Sequence, residues 1–403
     1  MRFPAALGLA AALLLVHPEP GTAQTARVPS DEFLSTIVDD DPAPLPRSLA
    51  VEEIGLPLPL PVGGEAPPTG LVFTPPEYAR NRGILIRWGS FNAILTAMTV
   101  AITSGDPTAV VWVIVADAGQ QTNASTTLSG AGADMSRVQF LVAPTNTVWI
   151  RDYGPRFIEE DKALAIVDHV YNRPRPLDDQ IPDVVAAAWG LDAYDLPLTH
   201  GGGNFHLFAD GQAFMSDLVL AENPGLDAAD VASLFAQYEN LDLTIFPGFP
   251  TSFDATRHID MWLLPARDRV AIVGEYDPAD GAPHTITEDA VAELATRGYT
   301  VLRTPGWCDG CPFGTHYTYT NAVVLNRVVL VPQYSAYPVA NASALVTFAA
   351  AFPGKQIVGL DADAIVGSAG VFHCIVMHVP DPDWIFEDDF ETSDLSLWSA
   401  SSP

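Results

Sequence analysis

From about Phe73 onward the apolar positions follow two alternating periods. Apolar residues three or four apart predict helices in NAILTAMTVAI from Asn92, IPDVVAAAW from Ile181, AADVASLFAQY from Ala228, EDAVAELATRG from Glu288 and NASALVTFAAAF from Asn341. Short β-branched runs between them predict strands: VVWVIVAD, VQFLVAP, ALAIVDHVY, RVAIVGEY, TVLRTP, AVVLNRVVLVPQY and VFHCIVMHV. Helical and extended periods interleave without a run of helices alone, so the class is α/β. Five helices, each accompanied by two or three strands, also suit a pseudo-repeated assembly, although no sequence identity links the units.

The ends break this pattern. Residues 1–23 combine Arg2, an apolar stretch from Ala5 to Val16 and a Gly-Thr-Ala exit, the form of a secretory signal peptide. That stretch is shorter than the roughly 20 apolar residues needed to span a bilayer. Residues 24–72 are dense in proline and acid, predicting an extended linker or an arm lying on the domain. The expected organisation is a signal at 1–23, this segment at 24–72, a catalytic domain at 73–380 and an acidic tail at 381–403 in a secreted or periplasmic protein.

Charge narrows the partners. Forty-nine acidic residues against 19 basic give a net charge of −30, which argues against nucleic acid and anionic membrane, since both need a surplus of Lys and Arg. A cationic substrate is compatible with it. There are three cysteines. Cys308 and Cys311 form a C-x-x-C pair, read as a local disulfide outside the cytosol, with a redox motif or zinc ligands as the alternatives. Cys374 is then the odd thiol, either reactive or a small buried apolar residue.

Four further segments place polar residues where an apolar strand or tight turn would suffice: WIRDYGPRF with Asp152, HGGGNFHLFADG with three successive glycines, RHIDMW with His258 and Asp260, and HYTYTNAVVLN with Asn321. In an extended chain, residues two apart share a face. By that rule His258 and Asp260 point together, whereas His373 points away from Cys374, leaving His258 as the base for the thiol. A thiol, an imidazole and two carboxylates without metal-ligand spacing suit a planar cation. The carboxylates accept the N–H forks of a guanidinium, and a thiolate with a lowered pKa attacks its carbon. This chemistry is guanidine hydrolysis, with no cofactor and no metal.

In order and spacing, WIRDYGPRF, HGGGNFHLFADG, RHIDMW, YTYTNAVVLNRVVLVPQY and GVFHC resemble the motifs of the agmatine deiminase and bacterial peptidylarginine deiminase family, over roughly residues 73 to 380. The resemblance implies the pentein fold, a five-bladed pseudosymmetric α/β propeller of ββαβ units. It also implies Cys374 as nucleophile, His258 as proton carrier, Asp152 and Asp260 as holders of the guanidinium, Asn321 beside the thiol, and Gly203 and Asp210 at the substrate. Arg173 and Arg175 resemble the pair that grips the α-carboxylate of a C-terminal arginine. The expected activity is an exported peptidylarginine deiminase. The alternatives are an agmatine deiminase feeding putrescine synthesis, an exported non-catalytic binder of cationic peptides, and amidinotransfer to an amine.

Overall fold

The computed structural model describes residues 25–59, 61 and 66–382. The expected signal peptide and the tail from residue 383 lie outside the described residues. One unit recurs five times: two antiparallel strands, a helix, and a third strand parallel to the second. The first is closed by both ends of the domain. In it β1 (Asn81–Arg87) leads through α1 (Asn92–Gly105) to β2 (Val110–Val115), and the late strand Met377–Pro380 pairs antiparallel with β1. The second comprises β3 (Arg156–Glu160), β4 (Ala163–Tyr171), α2 (Ile181–Trp189) and β5 (Asp192–His200). The third comprises β6 (His206–Leu207), β7 (Gln212–Ser216), α3 (Ala228–Glu239) and β8 (Asp242–Phe246). The fourth comprises β9 (Leu263–Arg267), β10 (Val270–Glu275), α4 (Ala282–Thr296) and β11 (Thr300–Asp309). The fifth comprises β12 (Val323–Val324), β13 (Val328–Gln333), α5 (Pro338–Ala351) and β14 (Gln356–Asp361).

The middle strand of a unit is covered on both faces, so it reads as a continuous apolar run; Ile84, Leu85 and Ile86 of β1 have no exposed surface. Helix α1 is enclosed on nearly every side, with only Ala93 of its residues not buried. Its polar side chains survive there because Thr96, Thr99, Thr103 and Ser104 each donate to the carbonyl four residues back, at 2.6 to 2.8 Å.

One expectation changes, and one helix was not predicted. VFHCIVMHV is extended only over Met377–Pro380, and His373–Ile375 forms a 3-10 turn. Helix Ala118–Gly130 has no apolar period, with only Ala124 and Leu128 buried, and its cap starts it: Asp117 accepts from the Gln120 backbone N–H. The segment before Phe73, where it is described, lies on the domain as an arm. Its Ala26 backbone N–H donates to Gln356 at 2.7 Å, and Asp39 accepts from the Asn92 N–H at the start of α1, also at 2.7 Å.

Candidate active site

The chemically distinctive residues share one structural position. Asp152, Gly203, Asp260, Asn321 and Cys374 each lie two to four residues before the first strand of a different unit. Remote sequence segments therefore meet because the units repeat. His258 and Asp260 do come together, although by another route than an extended strand: His258 caps the 3-10 turn Ile259–Met261 that carries Asp260.

The guanidinium of Arg47, from the arm, fills the space between them. Arg47 Nε and Nη2 donate to the two oxygens of Asp152, each at 2.8 Å. Nη1 and Nη2 donate to the two oxygens of Asp260 at 3.1 and 2.9 Å. Nη1 also lies 2.6 Å from Cys374 Sγ, and Nη2 lies 2.7 Å from His258 Nδ1. All five residues are fully or almost fully buried. Gly203 donates its backbone N–H to Asp152 at 3.0 Å, and a Cβ there would overlap the guanidinium.

The two carboxylates surround one cation, and each ionised form is stabilised by it. Burial alone would raise Asp152 and Asp260, but Arg47 holds both well below the usual carboxylate range, helped by His258 and, at Asp260, by His373. Burial would likewise lower Arg47, and the two aspartates more than reverse it. The thiol departs from expectation. Burial pushes Cys374 well above its ordinary value; the Arg47 cation pulls the other way, and Asp260 and Asp152 add to the rise. Burial and the aspartates thus favour the thiol, and the neighbouring cation is the group that favours its thiolate.

Asn321 fixes that thiol. Its Oδ1 faces Sγ at 3.1 Å and accepts the Val371 N–H at 3.2 Å. His373 serves Asp260 instead: its Nδ1 is 2.9 Å from Asp260 Oδ2, and its Nε2 is 2.8 Å from Glu77, which also pairs with Arg151 at 2.7 Å. His258 Nε2 is buried and has no hydrogen-bond partner among the described residues.

A second, positively charged region borders the first. Arg173 Nε donates to the carbonyl oxygen of Arg47 at 3.3 Å. Arg175 Nη2 donates to the carbonyls of Pro46 and Ser48 at 2.8 and 3.2 Å. Arg175 also grips Glu53 in a two-bonded fork, Nε to Oε1 at 2.7 Å and Nη2 to Oε2 at 2.9 Å. Burial would raise the Glu53 carboxyl, and this fork lowers it below its ordinary value.

Asp210 is not part of the site. It sits in the turn between β6 and β7, accepting from the Tyr299 hydroxyl at 2.9 Å and facing Arg269 at 3.3 Å. It follows the first strand of its unit where the site residues precede theirs, and that offset explains the misplacement. Sequence pattern does not single out Arg47, Glu53, His373 or Glu77 as members of the site. Glu77, His206 and His373 hold donor atoms within 4.8 Å of one another, the spacing of a metal cluster, but Arg151 and the His373–Glu77 contact already engage the carboxylate. Cys308 and Cys311 are joined by a disulfide, with Cα atoms 5.7 Å apart, and Cys374 is free.

Known proteins resemble this chain in sequence and in fold. Residues 74–380 match the profile of the Porphyromonas-type peptidyl-arginine deiminase family. A Legionella pneumophila (strain Paris) protein provisionally named agmatine deiminase is 26% identical over 264 residues, spanning 60% of this chain and 75% of its own. The agmatine deiminase of Enterococcus faecalis superposes with a TM-score of 0.68 at 19% identity, covering 80% of this chain and 100% of that one. A C. jejuni agmatine deiminase with substrate bound gives 0.67 at 18% identity, covering 77% and 97%. At those identities the structures speak to the fold, which is the α/β fold of the agmatine deiminases.

Proposed function

Because the chain belongs to the Porphyromonas-type peptidyl-arginine deiminase family, a family of guanidino-group hydrolases, we propose that it converts arginine bearing a terminal carboxylate, at the end of a peptide or free, to citrulline and ammonia. One observation carries the choice of substrate. While Asp152 and Asp260 hold the Arg47 guanidinium, Arg173 holds the α-carbonyl of that same residue, and Arg175 beside it holds a carboxylate. Agmatine has neither group.

The proposed steps start from this arrangement. The Cys374 thiol loses its proton to His258, and Sγ bonds to the guanidinium carbon. Asp152 and Asp260 fix that carbon in place and stabilise its charge. His258 Nδ1, 2.7 Å from Nη2, passes the proton to that nitrogen; the C–Nη2 bond breaks and ammonia leaves. A water activated by the same imidazole attacks the thiouronium carbon. The C–S bond breaks, giving the ureido product and the free thiol, and the last proton leaves with ammonia as ammonium.

The five units are read as pseudosymmetric blades around this site, a view supported by the shared position of the site residues. Export is supported by the sequence of residues 1–23 and by the Cys308–Cys311 bond, which suits an oxidising compartment. A second reading, agmatine deiminase, draws on the names of the relatives and structures above, which favour it. A binder without chemistry has no use for a thiol 2.6 Å from a guanidinium nitrogen.

The test is ammonia release from a peptide ending in arginine, a peptide with internal arginine, free arginine and agmatine, using the wild type and Arg47→Ala. The expected result is a preference for the first or third over agmatine of about tenfold or more, as an additional charged hydrogen bond provides. The reverse preference would make agmatine the substrate.

A further inference from the structure

The arm does more than cover the site; it presents each group that the proposed substrate would present. Arg47 supplies the guanidinium and the α-carbonyl, and Glu53 supplies a carboxylate to Arg175. The arm is registered by its backbone as well. Trp149 Nε1 donates to the Leu45 carbonyl at 2.9 Å, and the Arg47 N–H donates to the Ser368 carbonyl at 3.1 Å. The Ala50 N–H donates to Glu53 at 2.8 Å, turning that carboxylate back toward Arg175. A guanidinium held only by surface acids would be solvated. This one is wholly buried, with the nucleophile on one nitrogen and the proton carrier on another.

Resting on the deiminase reading above, we infer that Arg47 is a modification site: Cys374 deiminates it in cis, and until it does so the arm excludes other substrates. In the reaction, water replaces Nη2 on the Arg47 carbon, ammonia leaves, and residue 47 becomes citrulline with the thiol regenerated. The product holds itself less well than the arginine did. Its oxygen replaces a nitrogen that donated to both Asp152 and Asp260, setting an acceptor against two carboxylates and removing their cation. The arm then loosens and the pocket opens. Before conversion, a tethered ligand competes at an effective concentration in the millimolar range, so a diffusing guanidine meets a closed site.

The experiment is peptide mass spectrometry of full-length wild type and Cys374→Ser, with circular dichroism to show that both fold. Citrulline at position 47 in the wild type and arginine in Cys374→Ser is the expected result. Mixing the active protein with Cys374→Ser should leave Arg47 of the latter unmodified, because it is buried; its conversion there would overturn the cis step. Arg47→Lys keeps a charge without a hydrolysable carbon, so it should deiminate free arginine about tenfold more slowly than the wild type; equal rates would overturn the exclusion. Intact Arg47 in the wild type, where the wild type or Arg47→Ala deiminates added arginine, overturns the inference and leaves the deiminase reading standing. Intact Arg47 with no ammonia from any guanidine in either protein removes both.

Discussion

Two adjoining regions of this molecule carry opposite charge and handle the same ligand. One is built from Asp152 and Asp260 and binds a cation; the other is built from Arg173 and Arg175 and binds carbonyls and a carboxylate. The anionic region is buried and symmetric about one guanidinium. The cationic region lies in a single turn between β4 and α2, so its two arginines come from neighbouring positions in one unit. Chemistry is thus assembled from repeated turns, whereas recognition is added locally. On the proposed function, a change in the turn would retune the substrate without disturbing the reacting atoms.

The largest effect should come from the anionic region. Asp152→Asn or Asp260→Asn removes a buried partner of the substrate cation, and about a 10³-fold fall in kcat/KM is expected, read as ammonia release with the fold intact. Equal loss on every guanidine would mark this region as catalytic machinery. Next, Arg173→Ala or Arg175→Ala should cost about 10²-fold on a peptide ending in arginine and less than about threefold on agmatine. Parallel losses on both would erase the division of labour between the regions.

A smaller effect tests the arm. In the Cys374→Ser background, where Arg47 cannot be converted, Glu53→Gln should tighten binding of free arginine about tenfold by calorimetry, since the arm loses a charge-assisted fork. In the Arg47→Ala background, a cationic haloacetamidine should alkylate Cys374 at least about tenfold faster than neutral iodoacetamide at neutral pH. Only the cationic reagent pulls down a thiol that burial has pushed up.

The smallest effect comes from a buried acid that lacks a cation. Burial, with Asp183, Asp179 and Asp195 nearby, pushes Asp168 up to about 8, the opposite of Asp152. The native state therefore keeps a proton that the unfolded chain releases near pH 4, and stability should fall as pH rises from about 4 to about 8. Asp168→Asn should match the wild type at pH 4 and become progressively more stable than it as pH rises to about 8 in urea titrations. A pH-independent difference would mean that Asp168 is already ionised.

The sequence showed the parts of this site whose signal is local. Asp152, His258, Asp260, Asn321 and Cys374 stand in short motifs before apolar runs, and the long helices announce themselves by period. Strand alternation does not hold around Cys374 because a 3-10 turn carries it: His373 Nδ1 and Cys374 Sγ both reach Asp260 Oδ2, at 2.9 and 3.8 Å, while His373 Nε2 turns to Glu77. Helix Ala118–Gly130 was hidden because its stability rests on a cap and little burial; Asp117 followed by Gln120 was its readable sign. Arg47 left no sign of this kind. It lies in a proline-rich stretch without period, and its importance arises from tertiary contacts to residues more than a hundred positions away.

The pairing of Met377–Pro380 with Asn81–Arg87 has a consequence for timing. The sulfur sits three residues ahead of that late strand, so a growing chain carries the acids, the imidazole and the arm's arginine well before it carries the atom that reacts. No guanidine, internal or foreign, can meet this sulfur until that late segment has been made. On the proposed function, synthesis order thus holds the reaction back until this late segment is in place.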